Sequence, residues 1–200
     1  MHIADGILPV EVSIAADVVA VGLVYAGGRK LETEEIPRMG IFAAALFIVS
    51  LIHFPIGATS IHLGLYGLAG LLFGLRSIPI IFVNLLFQSL IFQHGGLLSV
   101  GINTLTMGTG ALAAWGVWKS FKFYKQIKSF LCGFLGILIP AVLISVIFIM
   151  SNYGKGMAFI VSIYIPAAVI EGFLTMVIFN YFNKVRPEIL SRSNSRNNPR

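Results

Sequence analysis

Seven apolar stretches follow one another along the 200 residues of this chain, at roughly 8–28, 38–53, 60–75, 78–93, 98–118, 130–150 and 158–183, with only short Gly-, Pro- or charge-bearing turns between them. A helix needs about 20 mostly apolar residues to cross the hydrocarbon of a bilayer. Runs of this length, repeated this often, leave no room for a separate water-soluble domain. With 57% apolar and 11% charged residues and a mean hydropathy of +0.90, the chain has the bilayer as its main solvent. The expectation is an all-α membrane protein, one bundle of about seven transmembrane helices. The third and fourth stretches are short for a full crossing, which leaves tilt or a re-entrant segment open there.

An odd number of crossings puts the termini on opposite sides, and the basic residues then orient the chain. Alternate connections give one side Arg29, Lys30, Arg38, Arg76, Lys119, Lys122, Lys125, Lys128, Lys184, Arg186, Arg192, Arg196 and Arg200, and leave the other only Lys155. The basic side is expected to be cytoplasmic, with the N-terminus outside and the C-terminus inside. This also accounts for the net charge of +6. The basic residues form no stripe with interleaved aromatics, so nucleic acid is not an expected partner. No Lys or Arg precedes Arg29, as the basic region of a cleavable signal would require, so the first helix is expected to stay attached. The resulting organisation is an extracytoplasmic segment over 1–7, the helical bundle over 8–183 and a basic cytoplasmic tail over 184–200. Cys132, the single cysteine, sits in an apolar run and reads as a buried structural thiol.

All four histidines fall on the side that the basic residues avoid. His2 precedes helix 1, His53 ends helix 2, His62 opens helix 3, and His94 follows helix 4 before Gly95 and Gly96. Taken singly, each is well explained as an interfacial side chain bonded to headgroups or backbone. Together at one end of a bundle they could form a transition-metal site, since imidazole is the commonest ligand for such ions. His2 has a further property. At the second position it offers three nitrogens in sequence: the Met1 amine, its own backbone amide and its imidazole. These close a five-membered and a six-membered chelate ring in one plane, and one further imidazole completes a square. Planar nitrogen sets favour Ni(II), Cu(II) and related ions over Mg or Ca. Binding through an amide nitrogen displaces its proton, so affinity should fall on acidification. Gly6 and Pro9 supply the bend that would turn the N-terminus into the bundle.

The opening Met1-His-Ile-Ala-Asp-Gly-Ile-Leu-Pro9, the segment His53-Phe-Pro-Ile-Gly-Ala-Thr-Ser-Ile-His62 and the segment Gln93-His-Gly-Gly-Leu-Leu-Ser-Val-Gly-Ile-Asn103 resemble the CbiM/NikM family, the substrate-capture subunits of energy-coupling-factor cobalt and nickel transporters. The region around Ile165-Pro166 and Glu171 is similar too. The sequence departs from the family pattern at Ala58, where a second glycine is common, and at Ala4-Asp5, where Pro-Glu is frequent. The resemblance implies that the metal ligands are the Met1 amine, the His2 amide and imidazole, and the His62 imidazole. It gives His53, His94 and Asn103 the task of orienting those ligands by hydrogen bonds and anchoring the loops. The transported ion would be cobalt(II), for cobalamin biosynthesis, or alternatively nickel(II). No resident cofactor is implied.

No G-x-x-x-x-G-K-[ST] motif is present, so ATP must be hydrolysed elsewhere. The resemblance implies two ATPase subunits, a coupling transmembrane subunit and often a small accessory membrane subunit, all in a prokaryotic plasma membrane. No H-E-x-x-H pair is present either, so the chain reads as a transporter subunit rather than an enzyme. Asp17 and Glu171 lie within apolar spans, where an ionisable group is costly and commonly functional. Either could hydrogen-bond to a neighbouring helix or lie close to an aqueous cavity, and together they leave a secondary carrier or channel as a further reading. Small residues four apart, Gly22 with Ala26, Gly40 with Ala44 and Gly70 with Gly74, would allow close helix approach, either inside the bundle or at a docking face.

Overall fold

Pro9 has no N–H to leave unbonded and opens α1 (Val10–Gly28), its carbonyl accepting from Val12 and Ser13. The computed structural model describes residues 2–56, 59–152, 157–187 and 190. After α1 come α2 (Glu35–Ser50), β1 (His53–Ile56), β2 (Thr59–His62), α3 (Tyr66–Phe73), a single 3-10 turn over Gly74–Arg76, α4 (Ser77–Phe92), α5 (Val100–Ser120), α6 (Lys125–Met150) and α7 (Met157–Val185). Four helical stretches are long and apolar enough to cross a membrane: Val10–Gly28, Tyr66–Phe92, Lys125–Met150 and Ile160–Val185. The molecule is a multi-pass membrane protein.

The expectation of seven transmembrane helices is corrected to six. Among the described residues, α1, α2, α4, α5, α6 and α7 have 16 residues or more, whereas α3 has 8. At about 1.5 Å per residue α3 covers roughly 12 Å, less than half of a hydrocarbon core about 30 Å thick. The third apolar stretch is instead divided between strand and half-helix. Its first residues pair as an antiparallel hairpin in which His53 faces His62 and Phe54 faces Ile61. So His53 does not end a helix and His62 does not open one; both belong to strands. The physical reason lies in the segment itself. β-branched Thr59 and Ile61 suit a strand, and the backbone turns left-handed at Leu65, with φ 47°, before α3 can begin.

α3 lies in the interior because two glycines leave its surface bare. A side chain at Gly67 would collide with the Cys132 carbonyl on α6, and one at Gly70 with the Ala111 carbonyl on α5. Of the three small-residue pairs, Gly70 with Gly74 therefore serves internal packing. Gly22 and Gly40 have nothing within 4 Å and lie on open faces. Cys132 is fully buried, its thiol donating to the Ala114 carbonyl at 3.2 Å.

α5 is the least apolar of the long helices because protein surrounds it. It packs against α1, α3, α4 and α6. Thr104 and Thr106 bond back to carbonyls of their own helix at 2.8 and 3.0 Å, which removes the cost of burying their hydroxyls. On the rim, Val12, Val18, Val19 and Val21 of α1 and Ile170, Phe173 and Val177 of α7 are exposed, as a lipid-facing surface requires. At the end opposite the histidines, Lys119 and Lys128 lie over the Trp115 and Trp118 rings, and Arg76 pairs with Glu35.

Candidate metal centre

Ile3 is fully buried and belongs to the same core cluster as Ile61 of β2, Ile81 and Leu85 of α4, and Met107 of α5. Burying that one side chain draws the N-terminal segment down between the helices. Its backbone would then be cut off from water, and Asn103 supplies the missing partners. The Ile3 N–H donates to Asn103 Oδ1 at 2.8 Å, while Asn103 Nδ2 donates to the Ile3 carbonyl at 2.9 Å. Asn103 is itself 2% exposed, so the clamp is enclosed on every side.

This clamp fixes His2 beside two other imidazoles. The His2 ring stacks on His62 with centroids 4.9 Å apart and planes 21° apart, and lies 5.0 Å from His94 at 52°. His62 and His94 are 5.8 Å apart at 70°. One nitrogen of each lies within 4.8 Å of the others, close enough for three imidazoles to serve one ion after small side-chain rotations. His62 is 6% exposed, and its Nδ1 lies 3.2 Å from the Leu63 carbonyl, which leaves Nε2 on the far side of the ring.

The loops that carry these rings are shaped by positive-φ residues. Gln93, at φ 52°, ends α4, and the His94 N–H donates to the Gln88 carbonyl. Gly95 follows at φ 89°. A Cβ there would sit 3.1 Å from the Asn103 amide and 3.5 Å from His2 Cβ, so glycine suits the position on both counts. On the other side of the site, the Glu171 carboxyl group, 1% exposed on α7, accepts from the backbone N–H groups of Gly64 and Leu65. That caps the start of α3 two residues after His62. Asp17 of α1 likewise accepts from Gly101 N at 2.7 Å and caps α5 two residues before Asn103.

The structure thus brings His2, His62, His94 and Asn103 together. Met1 lies outside the described residues. For His53 the description extends to the backbone alone, which is paired with His62. The sequence marks Glu171 and Asp17 as ionisable groups in apolar runs that could bond to a neighbouring helix; which helix starts they cap is not legible there. Asp5 was missed as well. Its Oδ2 accepts from Leu98 N at 3.4 Å, and its carboxyl group fills the space that a side chain at Gly96 would need.

Residues 2–189 match the family profile described as the cobalt uptake substrate-specific transmembrane region, CbiM. Cobalt transport protein CbiM 2 of Pelobacter propionicus is 32% identical, covering 99% of this chain and 97% of its own length. Cobalt transport protein CbiM of Carboxydothermus hydrogenoformans is 31% identical, over 92% of this chain and 84% of its own. A crystal structure described as a transition metal transporter superposes with a TM-score of 0.81 at 22% identity, covering 100% of both chains, which establishes the shared fold.

Proposed function

The chain belongs to the CbiM family of metal transport proteins, and on that premise we propose that it is the substrate-binding component of an ATP-driven energy-coupling-factor importer of cobalt(II). The observation that carries the reading is the meeting of three imidazoles from three separate segments, one of them on the second residue of the chain. The Met1 amine, the His2 amide and imidazole, and the His62 imidazole form the chelate. Asn103, through Ile3, holds the N-terminal segment in place over it. In this reading residues 1–7 face the extracytoplasmic side and cap the ion, 8–183 form the bundle, and the basic tail 184–200 is cytoplasmic; six long helices are compatible with termini on opposite sides because the short α3 also carries the chain from His62 to Arg76, at the end opposite the histidines. The coupling subunit, two ATPase subunits and an accessory membrane subunit supply the power stroke. The cobalt would serve cobalamin biosynthesis. Nickel(II) is the alternative cargo, because the same donors accept it.

Loss of the amide proton leaves the bound ion with about one net charge rather than two, which lowers the penalty of holding it among apolar helices. A carrier mechanism through Asp17 and Glu171 gains no support from the geometry, since both carboxyl groups are bonded to backbone N–H groups of helix starts. The test is elemental analysis of the purified protein with its native N-terminus. Wild type is expected to carry one cobalt or nickel ion. His2→Ala, His62→Ala, or one residue added ahead of Met1 is expected to carry none. Normal loading of the extended protein would show that the amine is not a ligand.

A further inference from the structure

We propose that the turn between α5 and α6 is a binding surface for anionic phospholipid headgroups, in which Lys119, Lys122, Lys125 and Lys128 gather the phosphates. The inference is independent of the metal reading, because this turn lies at the end of the bundle away from the histidines.

The four lysines follow one another over residues 119–128, and no Asp or Glu occurs between Glu35 and Glu171. Glu171 itself is bonded to the backbone at the start of α3. Among the described residues none of the four lysines is paired with a carboxyl group. Cations gathered at one edge repel one another, and an anionic surface relieves that repulsion. Two of them are held by aromatic rings. Lys119 Nζ lies 5.6 Å from the centre of the Trp115 ring and Lys128 Nζ lies 4.5 Å from that of Trp118, which in turn packs edge-on against Phe179 of α7 at 4.8 Å. Lys122 and Lys125 are exposed.

The residues between the lysines are aromatic. Phe121 and Phe123 stack with centroids 5.6 Å apart and planes 5° apart, yet they are 49% and 52% exposed, and Tyr124 is 80% exposed. In water such a turn would leave its rings bare. At the level of the headgroups the rings find an amphipathic layer, and the lysine chains reach past it to the phosphates. A protein partner would be met differently, since protein interfaces are depleted in Lys and enriched in Arg, and no Arg occurs between Arg76 and Arg186. Lysine is a point charge without the planar fork of arginine, so this surface selects headgroup charge rather than headgroup shape. Anchors of this kind set the depth and tilt of a bundle in its membrane.

Trp115 and Trp118 are the only tryptophans of the chain, so native fluorescence reports from the surface itself. Full-length protein is reconstituted in bilayers of phosphatidylcholine and phosphatidylglycerol, with one of the two lipids brominated in its chains, and quenching gives the preference for one lipid over the other beside these rings. A preference for phosphatidylglycerol of about fivefold is expected, equivalent to about 1 kcal/mol from a lysine near an anionic surface. It should fall below about twofold in about 1 M salt, where the screening length is about 3 Å. Inorganic phosphate added at constant ionic strength should leave it unchanged; competition by phosphate would assign the lysines to a free anion and overturn the lipid site. In the double variant Lys122→Gln, Lys125→Gln the preference should fall below about twofold with an unchanged thermal midpoint. Equal quenching by the two lipids in wild type overturns the proposal without any variant having to fold. A double variant that keeps the full lipid preference overturns it too, and if that variant also loses its association with the transporter's other subunits, the surface docks protein instead.

Discussion

At the histidine end of the molecule, three non-helical segments meet, and side chains bonded to backbone hold them: Asn103 on Ile3, Asp5 on Leu98, Glu171 on Gly64 and Leu65, Asp17 on Gly101. Away from it, along the middle of the bundle, α3, α5 and α6 touch through bare glycine surfaces, and at the far rim aromatic rings with cations above them close the structure. The difference follows from what each end must do. Imidazoles from distant parts of the chain can converge only where the backbone leaves helical geometry, and every N–H freed that way inside a membrane protein needs a partner. Helix against helix needs none, because each helix satisfies its own backbone. Substitutions should therefore separate the two ends: changes at the first move metal affinity, changes at the second move stability alone.

The largest effect is expected from Glu171→Ala. It orphans two N–H groups at the start of α3, each at a cost of about 1–3 kcal/mol and more where no water can reach. The thermal midpoint in detergent should drop, and the protein that remains folded should bind metal more weakly because His62 lies two residues upstream of the lost cap. Glu171→Gln keeps an acceptor and should recover part of both. A stable Glu171→Ala protein with wild-type metal affinity would break the link between cap and site. Next comes Asn103→Ala, which releases both bonds to Ile3. Metal affinity should fall by about 10–100-fold, as for other supporting partners of metal ligands. Isothermal titration with Co(II) measures it, and an affinity equal to wild type would mean that Ile3 burial alone seats the N-terminal segment.

How much of this was legible in advance differs between the same two ends. The long helices could be read directly, because an apolar run of sufficient length has few other destinations in a membrane. The third run could not, since its composition suits strand and helix alike; β-branched Thr59 and Ile61 were the available cue against a full helix. At the site, His2, His62 and Asn103 could be named from chemistry and resemblance. The placement of His94 beside the other rings could not, because ring positions depend on the left-handed turn at Gln93. The Glu171 cap joins residues 106 and 107 positions apart, and the Asp17 cap joins residues 84 apart. A single sequence marks such carboxyl groups as unusual but does not say which backbone they reach.

In the helix-packed part of the bundle, Gly70→Ala sharpens the comparison from the other side. The added methyl group meets the Ala111 carbonyl, and overpacking of this kind costs about 1–3 kcal/mol. The thermal midpoint should fall while the Co(II) affinity of the folded protein stays at the wild-type value. A parallel fall in affinity would mean that the two ends are mechanically coupled through α3, whose first residue follows shortly after His62.

The smallest effect is expected from Asp17→Ala. Its carboxyl group caps α5 through one N–H at a partly exposed position, so water or headgroup oxygens can take over some of the loss, and the cost should lie near about 0.5–2 kcal/mol. Because Gly101 is only two residues from Asn103, fraying of that first turn should also loosen the clamp on Ile3. Metal affinity should then decline slightly, well short of the Asn103→Ala loss. Asp17→Asn retains an oxygen acceptor and should fall between the alanine variant and wild type in both thermal midpoint and Co(II) titration. If Asp17→Asn instead abolished transport in membrane vesicles while leaving binding and stability unchanged, the carboxyl group would have to act as an ionisable group rather than as a cap. The division of labour between the two ends would then be drawn in the wrong place.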